Sequence, residues 1–355
     1  MSQQAGHKGR GAASSPPPRY RAQHHERVDD GWWQEAESAP ATVVAPDPAR
    51  SVISYNQSPD VPFDRTINPY RGCEHGCIYC FARPSHAWLD LSPGLDFETR
   101  LFAKLDAPAL LEKALRHPRY RCDTVVLGAN TDCYQPIEKQ YGLTRRLLAV
   151  LYDYRHPVSI LTKSALVLRD LDILGDMARE GLVNVMVSVT TLDQDLKRRL
   201  EPRTPSGQRR LRTVADLAEA GIPTGVLMAP VIPALNDHEI ETIVQASAEA
   251  GARSVETVLL RLPLELADLF REWLAVHYPE RAGRVMSLLR EARGGRDNDS
   301  RFGYRMRGQG AYADLISHRL KLARKRFGLE GRGQLGLDKG KFRLPVKSGD
   351  QLGLF

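Results

Sequence analysis

Short, almost continuously apolar runs rich in β-branched residues recur through the middle of the chain. Five of these runs, at 124–127, 158–161, 183–189, 224–229 and 255–259, are predicted strands. Runs of this kind are typical of parallel strands that are buried on both faces. We therefore expect all five to be parallel strands that are buried on both faces.

Segments with helical periodicity separate these runs, at 107–116, 142–154, 166–180, 208–220 and 237–250. Three of the predicted helices are followed directly by a glycine, Gly181, Gly221 or Gly251, which suits a helix C-cap. Alternation of strand and helix over roughly 200 residues predicts a parallel α/β barrel or an open sheet. Periodicity does not separate the two, but in either case the active site lies at the carboxyl ends of the strands.

The two ends of the chain have a different composition. Residues 1–50 are rich in Gly, Ser, Pro, Arg and His, with few aliphatic residues before Val43, and are predicted to form a disordered tail. We expect the α/β core to span 51–262, a helical extension to span 263–327, and a flexible tail to span 328–355.

Composition bears on the size of the core, the location of the protein and its possible partners. With 42% hydrophobic residues in 355, the chain is long enough for one large core. No run approaches the length of a membrane-spanning helix, and the basic N-terminus has no apolar stretch behind it, so we expect no membrane association and a cytoplasmic location. A net charge of +7 permits contact with nucleic acid but does not require it.

Three of the five cysteines, Cys73, Cys77 and Cys80, crowd into one short glycine-containing segment with the spacing C-x3-C-x2-C. Cubane iron–sulfur clusters normally take four cysteine ligands, so three would leave one iron open to a substrate or cofactor. The alternative is zinc, which prefers four closed ligands, often as paired C-x2-C units. No second pair follows here, and His75 lies inside the same short loop.

This cysteine spacing, with Tyr79 directly before the third cysteine, resembles the signature of the radical SAM superfamily. The resemblance covers most of residues 64–262 and implies a partial parallel (β/α)6-type barrel. It also implies a [4Fe–4S] cluster on Cys73, Cys77 and Cys80 whose fourth iron binds S-adenosylmethionine (SAM). One electron, from a flavodoxin or ferredoxin, would then cleave SAM to methionine and a 5′-deoxyadenosyl radical.

The resemblance also implies SAM contacts at the strand ends. Segment 128–132 (GANTD) matches by position and polarity the family segment that contacts the SAM amino group, which makes Asn130 and Asp132 candidates. Ser188 and Thr190, at the end of the run 183–189, are candidates for the SAM ribose or carboxylate. Ordinary turn and cap chemistry is the alternative for all four.

A narrower resemblance points to the members related to spore photoproduct lyase, which repairs a thymine dimer in DNA. It rests on Glu201-Pro-Arg203 and on segment 229–233 (APVIP). It implies that Glu201 and Arg203 bind the SAM ribose and carboxylate, and Lys163, at the end of a predicted strand, has the same status. The alternative is a solvated basic loop.

One position departs from the photoproduct lyases. Their hydrogen-donating cysteine aligns with Ala129, and Cys133, four residues further on, is the candidate catalytic substitute. A buried structural cysteine is the alternative for Cys133, and Cys122 is predicted to be a packing residue. The departure argues against photoproduct repair itself.

Two features outside the predicted barrel suggest partners. The terminal residues Gln351–Phe355 resemble the short peptide with which bacterial repair proteins dock into the sliding clamp. Arginines 301, 305 and 307 alternate with Phe302 and Tyr304, a combination that suits single-stranded nucleic acid. A solvated charged surface is the alternative for the arginines, and packing on the protein's own surface is the alternative for the terminal peptide.

The sequence thus predicts a radical SAM enzyme, lyase-like, that acts in DNA repair or nucleic-acid modification. The alternative function is that of a nucleic-acid-binding protein with a structural or redox-sensing iron–sulfur cluster. That alternative requires a closed cluster, with Cys122 or Cys133 supplying a fourth ligand through space.

Overall fold

The computed structural model describes residues 9–21, 41–329 and 336–346. Its strands form a large sheet and a small one. In chain order they are β1 Val43–Pro46, β2 Ile53–Tyr55, β3 Arg65–Ile67, β4 Tyr70–Arg71, β5 Arg100–Ala103, β6 Val125–Leu127, β7 Val158–Thr162, β8 Val183–Ser188, β9 Thr224–Val231 and β10 Ser254–Leu259.

The large sheet has the order β2-β3-β6-β7-β8-β9-β10. Neighbours from β3 to β10 run parallel, and only β2 pairs antiparallel, at one edge. Six parallel strands in sequential order confirm the predicted partial (β/α)6-type barrel. The sequence pattern missed β3, because three residues are too few to show a periodicity.

Helices pack on the sheet between the strands. They are α1 Asp96–Thr99, α2 Ala107–Leu115, α3 Glu138–Tyr141, α4 Leu143–Asp153, α5 Leu171–Arg179, α6 Gln194–Leu200, α7 Gly207–Glu219, α8 Ile240–Glu249, α9 Leu266–His277, α10 Pro279–Glu291 and α11 Gly310–Arg326. The predicted helix 166–180 is divided, because Ala165–Asp170 forms a 3₁₀ turn in which the Ser164 hydroxyl accepts the Leu166 amide. Gly181, Gly221 and Gly251 adopt positive φ angles, as their predicted C-cap positions require.

The described parts of the predicted N-terminal tail contact the core. β1 pairs in parallel with β5, which also pairs antiparallel with β4, so the small sheet begins inside residues 1–50. Residues 9–21 form hydrogen bonds with the segment 84–98 and with α9. For these residues the structure therefore differs from the expected tail.

The C-terminal extension is helical, as predicted. Apolar side chains of α9 and α10, including Phe270 and Trp273, share a core cluster with Ile78 and Tyr79 of the cysteine segment. α11 packs against α8 and β10. No helix in the described ranges is long and apolar enough to span a membrane.

Residues 336–346 lie against loops that precede β6, β7 and β8. The Asp338 amide donates to the Gly181 carbonyl at 2.9 Å, and the Phe342 ring packs edge-on against His156. This segment therefore lies at the amino ends of these strands, opposite to their carboxyl ends. The predicted clamp-binding residues Gln351–Phe355 lie outside the described residues.

Candidate active site

The three clustered cysteines lie on a tight loop between β4 and a 3₁₀ turn, Arg83–Leu89. The loop turns at Gly72 and Gly76, which both have positive φ angles. A Cβ atom at Gly76 would approach the Glu98 carboxylate to 2.7 Å, so glycine is required there for space as well as for conformation. The Ile78 amide donates to the Leu200 carbonyl at 3.0 Å, which ties the loop to the end of α6.

All three thiols are free, and Cys73 and Cys77 are buried. Burial raises the pKa of Cys77 to about 12 and the pKa of Cys73 well above its usual range, where the nearby Asp132 charge adds to the effect. Across the described residues, no set of three His, Cys, Asp or Glu side chains is arranged around a single metal ion. Three free thiols from one loop are the donor set that iron–sulfur clusters use, so the residues present fit a cluster.

A buried ion pair supports the loop from below. Arg83 donates to the Cys77 carbonyl at 2.9 Å and to the Gly76 carbonyl at 3.1 Å, and it pairs with the Glu98 carboxylate. Both side chains of the pair are fully buried. Neither residue is predicted from the sequence, because nothing local marks a charged side chain as buried.

Gln135 fixes the other side of the loop. Its amide oxygen accepts the Glu74 amide at 2.8 Å, and its amide nitrogen donates to the Gly72 carbonyl at 3.1 Å. Gln135 is fully buried, and it lies more than 60 residues from its partners in the sequence. This residue is not predicted from the sequence either, since only the fold brings it to the loop.

Asp132 joins the cysteine loop to β7. Its carboxylate lies 3.3 Å from the His75 ring and accepts the Thr162 hydroxyl and the Lys163 amide, both at 2.7 Å. Burial alone would raise the pKa of Asp132, but His75 and these donors lower it to about 2. Asp132 is thus an ionised group that positions its neighbours.

Lys163 lies where the resemblance predicted it, at the carboxyl end of β7. Its ammonium sits 5.9 Å from the centre of the Tyr79 ring and forms no ion pair within contact distance in the described chain. Burial alone would lower the pKa of Lys163, but the nearby Cys77, Glu201 and Asp132 raise it. A charged ammonium therefore lies close to the cysteine loop and is available to an anionic ligand.

Glu201 is the centre of a buried polar cluster. It accepts the Thr190 hydroxyl at 2.8 Å and also binds Tyr79 and Arg210. Burial alone would raise the pKa of Glu201, but Arg210 and Lys163 lower it to about 2. Because its oxygens are occupied by these neighbours, Glu201 is fully engaged inside the protein.

Arg210 is the arginine that pairs with Glu201. Arg203 is partly exposed and pairs with Glu74 at 3.0 Å, on the outer side of the cysteine loop. Arg210 is buried and also donates to the Ser188 carbonyl at 3.0 Å. The resemblance implies that Glu201 and Arg203 bind SAM, but in the structure Glu201 pairs with Arg210, which lies in the first turn of α7.

The remaining predicted residues are divided between surface and core. Ser188 is buried at the end of β8. Asn130 is exposed, and its backbone amide donates to the side-chain oxygen of Asn68 at 2.9 Å. The segment 128–132 therefore follows β6 at the same edge of the sheet as Lys163 and Thr190.

Cys133 belongs to the main hydrophobic core. Its thiol is fully buried, and burial raises its pKa well above the usual range. Cys122 lies before β6, at the other end of that strand, and burial raises its pKa to about 11. Cys133 packs in the main core cluster, whereas Cys73 and Cys77 belong to two other clusters.

A strap of the N-terminal segment, residues 10–21, covers part of the loop. The amides of Gly11 and Ala12 donate to the Glu98 carboxylate at 2.9 Å each. Further along, Arg19 pairs with Glu265 at 2.8 Å. The same glutamate that binds Arg83 therefore also holds the strap.

This geometry agrees with a family comparison. The sequence model of the radical SAM superfamily matches residues 67–246, which is half of the chain and includes the cysteine loop. The chain belongs to the radical SAM superfamily. Members of this superfamily cleave SAM at a [4Fe–4S] cluster, so SAM and such a cluster are the cofactors that the family implies for this chain.

Relatives of this radical SAM protein occur in bacteria and archaea. An uncharacterised protein of Mycobacterium tuberculosis is 40% identical over 232 residues, which cover 65% of this chain and 68% of the relative. An uncharacterised protein of Methanocaldococcus jannaschii is 31% identical over 214 residues, 60% of this chain and 76% of that protein.

Among solved structures, this radical SAM protein is similar to spore photoproduct lyase. The complex of that enzyme with dinucleoside spore photoproduct has a TM-score of 0.56 and 15% identity, over 81% of this chain and 79% of the other. A mutant of the lyase with bound AdoMet and the same dinucleoside has a TM-score of 0.52 and 16% identity, over 81% and 78%. At this identity the likeness establishes a common fold.

Proposed function

We propose that this protein is a radical SAM enzyme that reductively cleaves SAM at a [4Fe–4S] cluster held by Cys73, Cys77 and Cys80, and that it acts on nucleic acid. The observation that carries the proposal is that these three thiols and the Lys163 ammonium lie close together at one edge of the sheet. Three ligands leave one iron open, and an unpaired cation beside it suits the SAM carboxylate.

When bound, the cluster supplies the single electron that converts SAM to methionine and the 5′-deoxyadenosyl radical. The protein's own residues hold the cysteine loop and SAM in place and exclude water. Arg83 and Gln135 fix the carbonyls of the loop, and Lys163 binds the carboxylate of SAM. The apolar side chains of α9 and α10 behind Ile78 and Tyr79 exclude water from the inner side of the loop.

Asn130, Ser188 and Thr190 are the further candidates for SAM contacts, because all three lie at the carboxyl edge of the sheet. Asp132, Glu201 and Arg203 take a different role in this proposal. Their charged groups are already paired with His75, Arg210 and Glu74 respectively, so we propose that they position the loop. A flavodoxin- or ferredoxin-type protein would supply the electron.

A nucleic-acid substrate is supported by the shared fold with a lyase whose structures contain a dinucleoside photoproduct. The reaction need not be photoproduct repair. The position of the lyase's hydrogen donor is Ala129 here, and the Cys133 thiol is buried among the apolar residues of the core. We therefore propose a lyase-like enzyme with a different hydrogen donor.

The test is anaerobic cluster reconstitution followed by SAM and dithionite, with 5′-deoxyadenosine measured by chromatography. We expect product from the wild type and none from Cys77→Ala. The matched control is Cys122→Ala, which removes a thiol at the other end of β6 and should leave the product unchanged.

A fully formed cluster whose EPR spectrum does not change on adding SAM, with no 5′-deoxyadenosine formed, would refute the proposal. That result would favour the alternative of a nucleic-acid-binding protein with a closed, structural or redox-sensing cluster. Clamp docking by Gln351–Phe355 stays a prediction, tested by clamp binding before and after removal of those five residues.

A further inference from the structure

Residues 299–308 form a loop that follows α10 and lies beside the carboxyl end of β10. The Leu259 amide, at the last residue of β10, donates to the Met306 carbonyl at 2.9 Å. The loop therefore extends the edge of the sheet at which Lys163 and the strand ends lie. It carries Phe302 and Tyr304, which the proposed chemistry does not use.

A buried arginine holds this loop in place. Arg293 donates to the carbonyls of Tyr304 and Arg305 at 2.8 and 2.9 Å, and to those of Leu259 and Leu260 at 2.9 and 2.6 Å. One side chain thus joins the loop to the end of β10. Burial lowers the pKa of Arg293 to about 10, so the guanidinium stays charged at neutral pH and keeps these bonds.

The opposite side of the loop is also fixed. Arg305 pairs with Asp60 at 2.5 Å, and both side chains are largely buried. The Asp60 carboxylate also accepts the Gly303 amide at 3.4 Å. A loop held on both sides presents its exposed side chains in a defined arrangement, which lowers the entropy cost of binding a ligand.

Three aromatic rings on this surface are exposed, and each lies beside an arginine. Phe302 is 53% exposed, Tyr304 44% and Phe81 46%. The ring centres lie 4.7, 4.8 and 5.6 Å from the guanidinium carbons of Arg305, Arg301 and Arg261 respectively. Exposed rings stack on nucleobases whatever the sequence. Arg305 and Arg301 are themselves paired with Asp60 and Asp299, so among these arginines Arg261 is the candidate for a phosphate contact.

This surface adjoins the cysteine loop. Phe81 directly follows Cys80, and Arg261 lies two residues beyond β10. In the described part of the chain, Arg261 makes no ion pair: its guanidinium contacts the Met306 sulfur at 3.7 Å and the Phe81 ring. A partly buried cation with soft, apolar neighbours is well placed to bind an anionic group from a ligand.

We propose that Phe81, Arg261, Phe302 and Tyr304, which we call the rim surface, bind single-stranded nucleic acid at the mouth of the active site. This inference rests on the proposed function and adds the surface that would hold the substrate. Unstacked bases would lie on the Phe302 and Tyr304 rings, and a phosphate would bind Arg261. The target nucleotide would then lie next to the loop that carries Cys80.

The test is fluorescence anisotropy with a labelled single-stranded oligothymidylate about 12 nucleotides long, added to the reconstituted protein. We expect the double variant Phe302→Ala, Tyr304→Ala to bind at least about tenfold more weakly, because two rings on which bases would stack are lost. Arg261→Met should weaken binding and reduce its salt dependence, since a phosphate contact would be lost.

The matched controls remove the same kinds of side chain elsewhere. Leu315→Ala with Leu322→Ala removes two exposed apolar side chains from α11, and Arg179→Gln removes an exposed arginine from α5. These controls should bind like the wild type. Iron content and thermal unfolding of each variant report on folding.

The inference is overturned if the rim variants bind within twofold of the wild type, if the controls lose binding equally, or if a labelled polyglutamate of similar charge binds as well as the oligonucleotide. SAM cleavage by the wild type separates the two proposals. Cleavage of SAM without oligonucleotide binding would refute the rim surface alone, whereas a failure to cleave SAM would refute the proposed function.

Discussion

Arg83 lies beneath the cysteine loop in a fully buried ion pair with Glu98. Each member of the pair also binds backbone groups of a different segment. Arg83 holds the carbonyls of Gly76 and Cys77, and Glu98 accepts the amides of Gly11 and Ala12 from the N-terminal strap. The position of the loop and the docking of the strap therefore depend on the same carboxylate.

Removing one partner should be costly. We expect Arg83→Met to lower the free energy of unfolding by about 3–5 kcal/mol, because it leaves the Glu98 charge buried without its partner. Chemical unfolding of the protein without cluster measures this loss. The exposed pair Arg198 and Asp195 is the control, and Arg198→Met should change stability by less than about 1 kcal/mol. Equal losses in the two variants would contradict this account of the pair.

Gly11 tests the strap. A Cβ atom at Gly11 would overlap the Gly76 carbonyl oxygen, so Gly11→Ala should displace the strap at a cost of roughly 1–3 kcal/mol. Trypsin should then cleave faster after Arg19, with the fragments identified by mass spectrometry. Gly283→Ala is the matched control, because a Cβ atom at Gly283 meets nothing within 4 Å. An unchanged cleavage rate in Gly11→Ala would show that the strap does not need this contact.

Lys163 should determine SAM affinity. Lys163→Met removes the unpaired ammonium near the cysteine loop, and we expect SAM to bind roughly 10- to 100-fold more weakly. Anaerobic equilibrium dialysis with radiolabelled SAM measures the dissociation constant directly. Lys163→Arg should retain part of the affinity because it keeps the charge. The control Lys139→Met, which removes a lysine from α3, should retain all of it. Unaltered affinity in Lys163→Met would exclude this lysine as a SAM ligand.

Glu201 should contribute to stability in a pH-dependent way. Its pKa is about 2 in the folded protein against an ordinary value of 4.5, so the stabilisation is present above pH 4.5 and is lost as the pH falls towards 2. We expect Glu201→Gln to be less stable at neutral pH and to show a smaller loss of stability across that acid range. Urea unfolding at several pH values measures both effects, with the exposed Asp195→Asn as the control. A variant with the same pH slope as the wild type would contradict the predicted ionisation.

Arg210 and Arg203 can be compared directly. Arg210→Met should destabilise the protein strongly, because Glu201 is left buried beside Tyr79 without its cation. Arg203→Met should have a smaller effect, since Arg203 is partly exposed and the buried Glu74 also accepts the Thr42 hydroxyl at 2.7 Å. Thermal unfolding ranks the two variants. The reverse order would contradict the conclusion that Arg210 is the cation that stabilises Glu201.

The sequence alone determined the alternation of strands and helices and the position of the cysteine loop. The runs that form β6 to β10 are almost continuously apolar, so their composition identifies them without further information. The spacing of Cys73, Cys77 and Cys80 is a local property, and so are Gly72 before them and Gly76 between them. A pattern that is complete within ten residues can be recognised without the fold.

The tertiary structure decided which charged and polar residues serve that loop. Gln135, Glu98 and Arg210 reach their partners from other elements, and nothing in their own segments distinguishes them from surface residues. Their contacts exist because parallel strands bring their carboxyl ends to one edge, where distant loops must share a small buried space. Burial then selects the ionised partners, since a charge in that space is stable only beside its counter-charge.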